Sequence, residues 1–368
     1  MMIFHPFFAY PKIRERPDPP LRFVLSLGRT TPSGRVDQMT FCIGRRDFLT
    51  LLGGAAAAWP FTAGAQQPSK IAKVGVLYPG TAAILPSRLA GLREGLQAAG
   101  YREPDNIELV PRAAENDPTR IASLAMELVE RKVDVMVPVS PAAIDAALAA
   151  STTIPIVALD FESDPVARGW IKSLSRPGGR VTGMFFDFPE FGKKWLELLK
   201  EVLPQLAKIA VLWDPATGTV QIKAVESAGK LLNVKLEILE VRAATNLNDS
   251  IVAASSKGVD ALLMTSSPVF GANPERIAGL TLGLRLPAVS LFPEFARAGG
   301  LMAYGVDPVK HWRQGAALIA KVLRGAKPAE LPAELPTKFE LLINLKTAKS
   351  LGIVFPTSIL LRADEVIE

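Results

Sequence analysis

The chain has 368 residues, 49% of them hydrophobic and 21% charged, which is enough apolar material for two domains with separate cores. That balance excludes an intrinsically disordered chain, and no run of about 20 apolar residues supplies an ordinary membrane-spanning helix. The formal charge is +6, yet residues 1–65 hold eight Lys or Arg against four acids, leaving 34 basic against 32 acidic residues in the body. A body so near neutrality argues against nucleic acid as a partner.

The single cysteine, Cys42, and the first of two histidines, His5, also lie in that leading stretch. The body therefore has no thiol and one imidazole, His311. Intramolecular disulfides, CxxC redox chemistry and multi-histidine metal sites are excluded.

Taken in chain order, residues 1–38 are rich in Pro and Arg and read as a spurious or disordered extension ahead of Met39. Residues 39–65 read as an export signal. Arg45-Arg46 is followed by Phe48-Leu49, a short Leu/Gly/Ala run and Ala63-Gly64-Ala65. This is a basic start, an apolar centre and a small-x-small cleavage site, of the twin-arginine type. Cleavage near Ala65 leaves Gln66 first and places the mature protein in the periplasm.

Beyond residue 70, short β-branched runs alternate with amphipathic helical patterns, the signature of parallel α/β architecture. Strands are predicted at 73–77, 106–110, 134–137, 156–159 and 181–183, then at 208–212, 235–241, 261–264 and 288–291. Asp117-Pro118, Asn273-Pro274 and Asp307-Pro308 pair a capping residue with proline at the first helical position. Ile121, Leu124, Ala125, Leu128 and Val129 form one apolar face, and Trp195, Leu198, Leu199, Val202 and Leu203 repeat its spacing. Gly100 and Gly325 are helix stops.

The two halves echo each other. Lys73-Val74-Gly75-Val76-Leu77-Tyr78 parallels Lys208-Ile209-Ala210-Val211-Leu212-Trp213. Val133-Asp134 with Ser140-Pro141 parallels Val259-Asp260 with Ser267-Pro268. Ile154-Pro155 leading to Glu162 parallels Leu286-Pro287 leading to Glu294. The fold class expected is α/β, with two doubly wound parallel-sheet lobes facing each other.

Ligands of open parallel sheets bind beyond the C-terminal ends of the strands. That rule selects Tyr78, Ser140, Asp160, Glu162 and Asp164 from the first half, and Asp214, Ser266, Ser267, Phe292 and Glu294 from the second. Ser140 and Ser267 can hold a ligand carboxylate at a helix start, or simply cap the helix. Asp160, Glu162 and Asp164 can meet a ligand ammonium, although Asp164-Pro165 also reads as a helix cap. Tyr78, Trp213 and Phe292 can stack on a ligand or pack at a domain edge. His311 reads as a surface or packing residue, because no catalytic set forms around a single imidazole. Gly178-Gly179 is a turn outside any dinucleotide-binding context, and no Walker motif occurs. No metal site and no cofactor are expected.

Several stretches resemble a known family. They are Asp164-Pro165-Val166, Ser173-Leu174-Ser175-Arg176-Pro177-Gly178-Gly179-x-Val181-Thr182-Gly183, and Ala298-Gly299-Gly300-Leu301-Met302-x-Tyr304-Gly305. The segment from Pro336 to Ala348 is the most specific of all. The chain resembles the ABC-transporter substrate-binding proteins of the group that includes the tryptophan/tyrosine-binding receptor, with a type I periplasmic-binding-protein fold. Phe292-Pro293-Glu294 departs from the more polar pattern of that group. The resemblance implies a monomeric solute receptor for an amino acid or related small carboxylate, working with a separately encoded permease and ATPase. It also implies a three-crossing hinge between lobe one (70–187 plus 306–335) and lobe two (188–305 plus 336–368). A sensory module for a membrane receptor would carry the same fold and signal, and an enzyme in the cleft is the other alternative.

Overall fold

The short, unbroken apolar runs of the sequence become strands because parallel sheets are covered on both faces. In the computed structural model, which describes residues 71–186 and 188–368, they assemble into two sheets. The expected extension and export signal lie outside the described residues.

The first sheet holds β1 (Ala72–Tyr78), β2 (Ile107–Ala113), β3 (Val135–Pro138), β4 (Ile156–Leu159) and β5 (Val181–Met184), in the order β2-β1-β3-β4-β5 and all parallel. Helices α1 (Leu85–Ala98), α2 (Ile121–Glu130) and α3 (Pro141–Ala150) connect these strands. After β5 come α4 (Phe188–Val202), β6 (Lys208–Trp213), α5 (Val220–Leu232), β7 (Lys235–Glu240), α6 (Leu247–Ser256) and β8 (Ala261–Met264). Next are α7 (Pro268–Gly271), α8 (Pro274–Gly283), β9 (Ala288–Ser290), α9 (Pro293–Arg297) and β10 (Met302–Gly305). The chain closes with α10 (Pro308–Leu323), β11 (Glu340–Asn344), α11 (Leu345–Leu351), α12 (Thr357–Leu360) and β12 (Glu365–Ile367). The second sheet runs β12-β11-β10-β9-β8-β6-β7, and only the β10–β11 pair is antiparallel. The protein is thus an α/β fold of two parallel-sheet lobes.

The period of two along β1 sorts its side chains between two layers. Val74 and Val76 pack with Leu89, Leu92 and Leu96 of α1 and Trp312 and Ile319 of α10. Leu77 faces Ile121 and Leu128 of α2 and Ile144 of α3. Each such side chain, fully buried, contributes roughly 1.5–3 kcal/mol. A Cβ on Gly91 would sit 2.3 Å from the Val309 carbonyl oxygen, and one on Gly95 would sit 2.3 Å from that of Arg313. These two glycines let α10 lie directly on α1, so α10 belongs to the first lobe although it follows β10 of the second.

The structure adds three strands, β10 to β12, that the sequence pattern did not supply. It also carries β2 past Val110 and across Pro111 to Ala113. Proline is tolerated there because β2 is the edge strand, so the missing N–H costs no ladder bond. Between α10 and β11 the chain runs along β5. Thr182 Oγ1 donates to the Leu331 carbonyl at 2.9 Å, Glu334 N–H donates to Gly183 O at 2.8 Å, and Phe185 N–H donates to Glu334 O at 3.0 Å. Gly183 has φ +156°, and a Cβ there would lie 2.2 Å from Ala158 O. The Arg176–Gly183 motif therefore seats this returning segment. No helix among the described residues is long and apolar enough to cross a membrane.

Candidate functional site

The strand ends of both lobes converge on one small cavity of about 30 Å³, lined by Tyr78, Ser140, Phe161, Glu162, Ser267 and Phe292 together with Arg88 and Trp312. A water needs about 10–15 Å³ on this measure, so the space takes about two waters and the lobes are closed on each other. At the cavity, two polar contacts cross between them. Ser266 Oγ donates to Glu162 Oε1 at 2.7 Å, and Arg88 Nη1 lies 2.8 Å from Glu294 Oε1.

Ser140 follows β3 and opens α3 with φ 84° and ψ 160°. A residue before proline is normally held in the extended region, with negative φ. Its positive φ is a backbone conformation that essentially only glycine adopts freely. The Ser140 hydroxyl is buried and has no hydrogen-bond partner among the described residues. It caps nothing, unlike Ser267, whose Oγ accepts from Val269 N–H at 3.0 Å and donates to Asp214 Oδ2 at 2.7 Å.

Asp160 and Glu162 follow β4 and are both fully buried. Asp160 Oδ1 accepts the Glu162 backbone N–H at 3.0 Å. The outer oxygens, Asp160 Oδ2 and Glu162 Oε2, have no partner among the described residues. Burial raises both carboxyls above their ordinary range. Glu162 is raised furthest, by burial first and then by the neighbouring Asp160 and Asp214 carboxylates. Asp214 is itself raised by burial, which its bonds from Ser267 and from Ala216 N–H at 2.9 Å partly offset. Tyr78 is pushed to about 12 by burial.

Behind Ser266, Gln221 makes a two-way contact, accepting from Ser266 N–H at 2.6 Å and donating to Ser266 O at 2.9 Å. This holds the hydroxyl in place against Glu162. Phe161, between the two acids in sequence, meets Phe292 of the other lobe edge-on at 6.4 Å and lies 4.3 Å from the His311 ring. His311 is buried, neither ring nitrogen has a partner among the described residues, and burial depresses it to about 3. It is therefore a neutral packing residue.

Of the residues selected by strand polarity, Tyr78, Ser140, Glu162, Ser267 and Phe292 line the cavity. Ser266 touches it through Glu162, and Asp214 through Ser267. Asp160 backs Glu162, and Glu294 is engaged by Arg88. Asp164 stands apart. It is half-buried, and its Oδ1 accepts from Val166 N–H at 2.9 Å and Ala167 N–H at 3.1 Å, capping its own turn. Trp213 is not among the lining residues either, and its indole N–H donates to Gly218 O at 2.8 Å.

Arg88, Phe161 and Trp312 were not selected from the sequence. Arg88 and Trp312 come from helices rather than strand ends. Arg88 nevertheless carried a signal, because it falls on the apolar stripe of Leu85, Leu89, Leu92 and Leu96, where a charge needs a buried partner. Among the described residues, no group of three His, Cys, Asp or Glu side chains is arranged to hold a metal ion.

Comparison with known proteins agrees with this fold. The family model described as ABC transporter substrate binding protein matches residues 73–367. A tyrosine-binding protein of Clostridioides difficile is 26% identical over 265 residues, spanning 72% of this chain and 76% of that one. A conserved domain protein of Vibrio cholerae superposes with a TM-score of 0.76 at 26% identity, covering 81% of this chain and all of the other. An ABC domain from Streptococcus pneumonia, solved in complex with L-Trp, gives a TM-score of 0.74 at 24% identity, over 80% of this chain and 99% of that one. At that identity it bears on the fold alone, a type I periplasmic-binding-protein fold.

Proposed function

Since the chain belongs to the ABC transporter substrate-binding protein family, we propose that it is an exported receptor that closes two lobes over a small ammonium-bearing solute. It then delivers that solute to a permease and an ATPase encoded separately. The observation that carries this reading is the interlobe cavity, where Glu162 of one lobe meets Ser266 of the other at 2.7 Å. A ligand cation entering there would find Glu162 Oε2 and Asp160 Oδ2 without partners. Its carboxylate, where it has one, would find the free Ser140 hydroxyl and the N-terminus of α3. Tyr78, Phe161, Phe292 and Trp312 supply the apolar wall. Amino acids are the first class to try, supported by the tyrosine-binding relative.

Between β5 and α4, between β10 and α10, and between α10 and β11, the chain changes lobes. In the proposed cycle these three segments are the hinge, and ligand favours the closed state through contacts that only the closed state completes. Binding is tested by titrating the purified protein with free amino acids, tyrosine included. We expect one-to-one binding without chemical change of the ligand, and loss of uptake of that solute in cells lacking the gene. Conversion of the ligand to a product, or uptake that persists unchanged, would overturn the proposal.

A further inference from the structure

The carboxyl groups around the cavity outnumber its cations. Glu162 lines the cavity with Oε2 unpartnered, and Asp160, two residues before it, leaves Oδ2 unpartnered. Asp214 lies one hydroxyl behind, reached through Ser267. Arg88 is the one cation among the lining residues, and Glu294 at 2.8 Å already matches its charge. Arg242, whose positive charge acts on Asp214 from outside, is exposed and pairs with Glu240 at 2.7 Å. Three buried carboxyls are therefore left over, with no buried cation among the described residues to meet them.

A neutral zwitterion does not correct this. Its ammonium offsets one acid, but its carboxylate, even when received by Ser140 and the N-terminus of α3, leaves the ligand with no surplus positive charge. A ligand with surplus positive charge does correct it, and the rings of Phe161, Phe292 and Trp312 favour a cation near their faces. We infer that the solute carries net positive charge at neutral pH: a small organic cation, either an amine without a carboxylate or an amino acid with a basic side chain. Glu162 holds the cationic group, with Asp160 behind it. The inference rests on the receptor reading and narrows its ligand.

The test is calorimetric titration of the purified full chain with matched pairs that share an apolar body: tyramine against tyrosine, tryptamine against tryptophan, and lysine against norleucine. We expect the cationic member of at least one pair to bind tenfold or more tightly than its neutral partner. Glu162→Gln should erase that preference, bringing the two members of each pair to within a few-fold of each other. Should that variant fold poorly, the wild-type preference itself is followed with pH. It should grow from pH 5 to pH 8 as the acids give up their protons to the ligand's charge. Ser140→Ala separates the two sources, weakening lysine far more than tyramine. Neutral members that bind as tightly as their cationic partners would overturn the inference and leave the receptor standing. So would a panel in which no cation binds. Chemical turnover of a bound compound would instead remove the receptor reading.

Discussion

Ser140→Gly separates strain from recognition at one position. At φ 84° and ψ 160°, Ser140 occupies a region where a non-glycine residue costs on the order of 1–3 kcal/mol. Glycine relieves that cost but adds freedom to the unfolded chain, worth about 0.4–1 kcal/mol in the other direction. The net gain is between about 0 and 2.5 kcal/mol, or up to about 5 °C in melting temperature at roughly 2 °C per kcal/mol for a chain of this size. The lost hydroxyl takes no bond from the protein, since Ser140 Oγ has no partner among the described residues. A ligand carboxylate would lose a charge-assisted hydrogen bond of about 1.5–3 kcal/mol, which is roughly 10- to 150-fold in affinity. Scanning calorimetry of the ligand-free protein and titration of a carboxylate-bearing ligand read the two effects separately. Ser140→Ala keeps the strained backbone, so it should weaken binding without the thermal gain. A glycine variant that melts lower than wild type, or binds such a ligand as tightly, would refute the reasoning.

Three further outcomes are expected. Glu162, raised by burial and by Asp160, stays protonated in the ligand-free fold at pH values where an unfolded glutamate has ionised. Its contribution to stability is complete below the ordinary carboxylate range and is lost as pH rises toward the raised value, so Glu162→Gln should gain stability over wild type across that window. A calorimetric difference between the two that stays flat from pH 4 to pH 8 would count against this. Arg88→Met removes a cation whose side chain is 9% exposed and frees Glu294, so the ligand-free lobes should part. Small-angle scattering should record a larger radius of gyration, and an unchanged one would show that the pair does not hold the closed form. Finally, protein recovered from the cell envelope should begin at Gln66, and Arg45→Lys combined with Arg46→Lys should strand it in the cytoplasm. Unimpeded export of the double variant would rule out the twin-arginine route.

Much of the fold was legible because buried parallel strands are short, continuous β-branched runs set between helices with plain caps. Asp307 shows the point, since its side chain accepts from Val309 and Lys310 N–H where Asp-Pro predicted a helix start. What stayed hidden depends on neighbours. β10 is four residues ending in Gly305, held between β9 and β11, and β12 is three residues laid against β11, so neither is a strand without its neighbours. The site divides the same way. Strand polarity found Ser140 and Glu162, whose positions follow from where a strand ends. It could not find Trp312, brought to the cavity by a helix that returns from the other lobe. Nor could it discount Asp164, whose Oδ1 is taken by its own turn.

The seating of α10 on Gly91 and Gly95 makes the two lobes unequal in capture. Because that helix travels with the first lobe, Trp312 stays beside Tyr78, whose ring it meets at 6.3 Å, whatever the other lobe does. Ser140, Glu162 and Arg88 are on the same side. In the proposed receptor, an arriving solute would therefore find most of its landing surface assembled on one half, and the second half, with Ser267 and Phe292, would act as the cover. Changes in the first should alter how fast the solute is caught, and changes in the second how long it is kept.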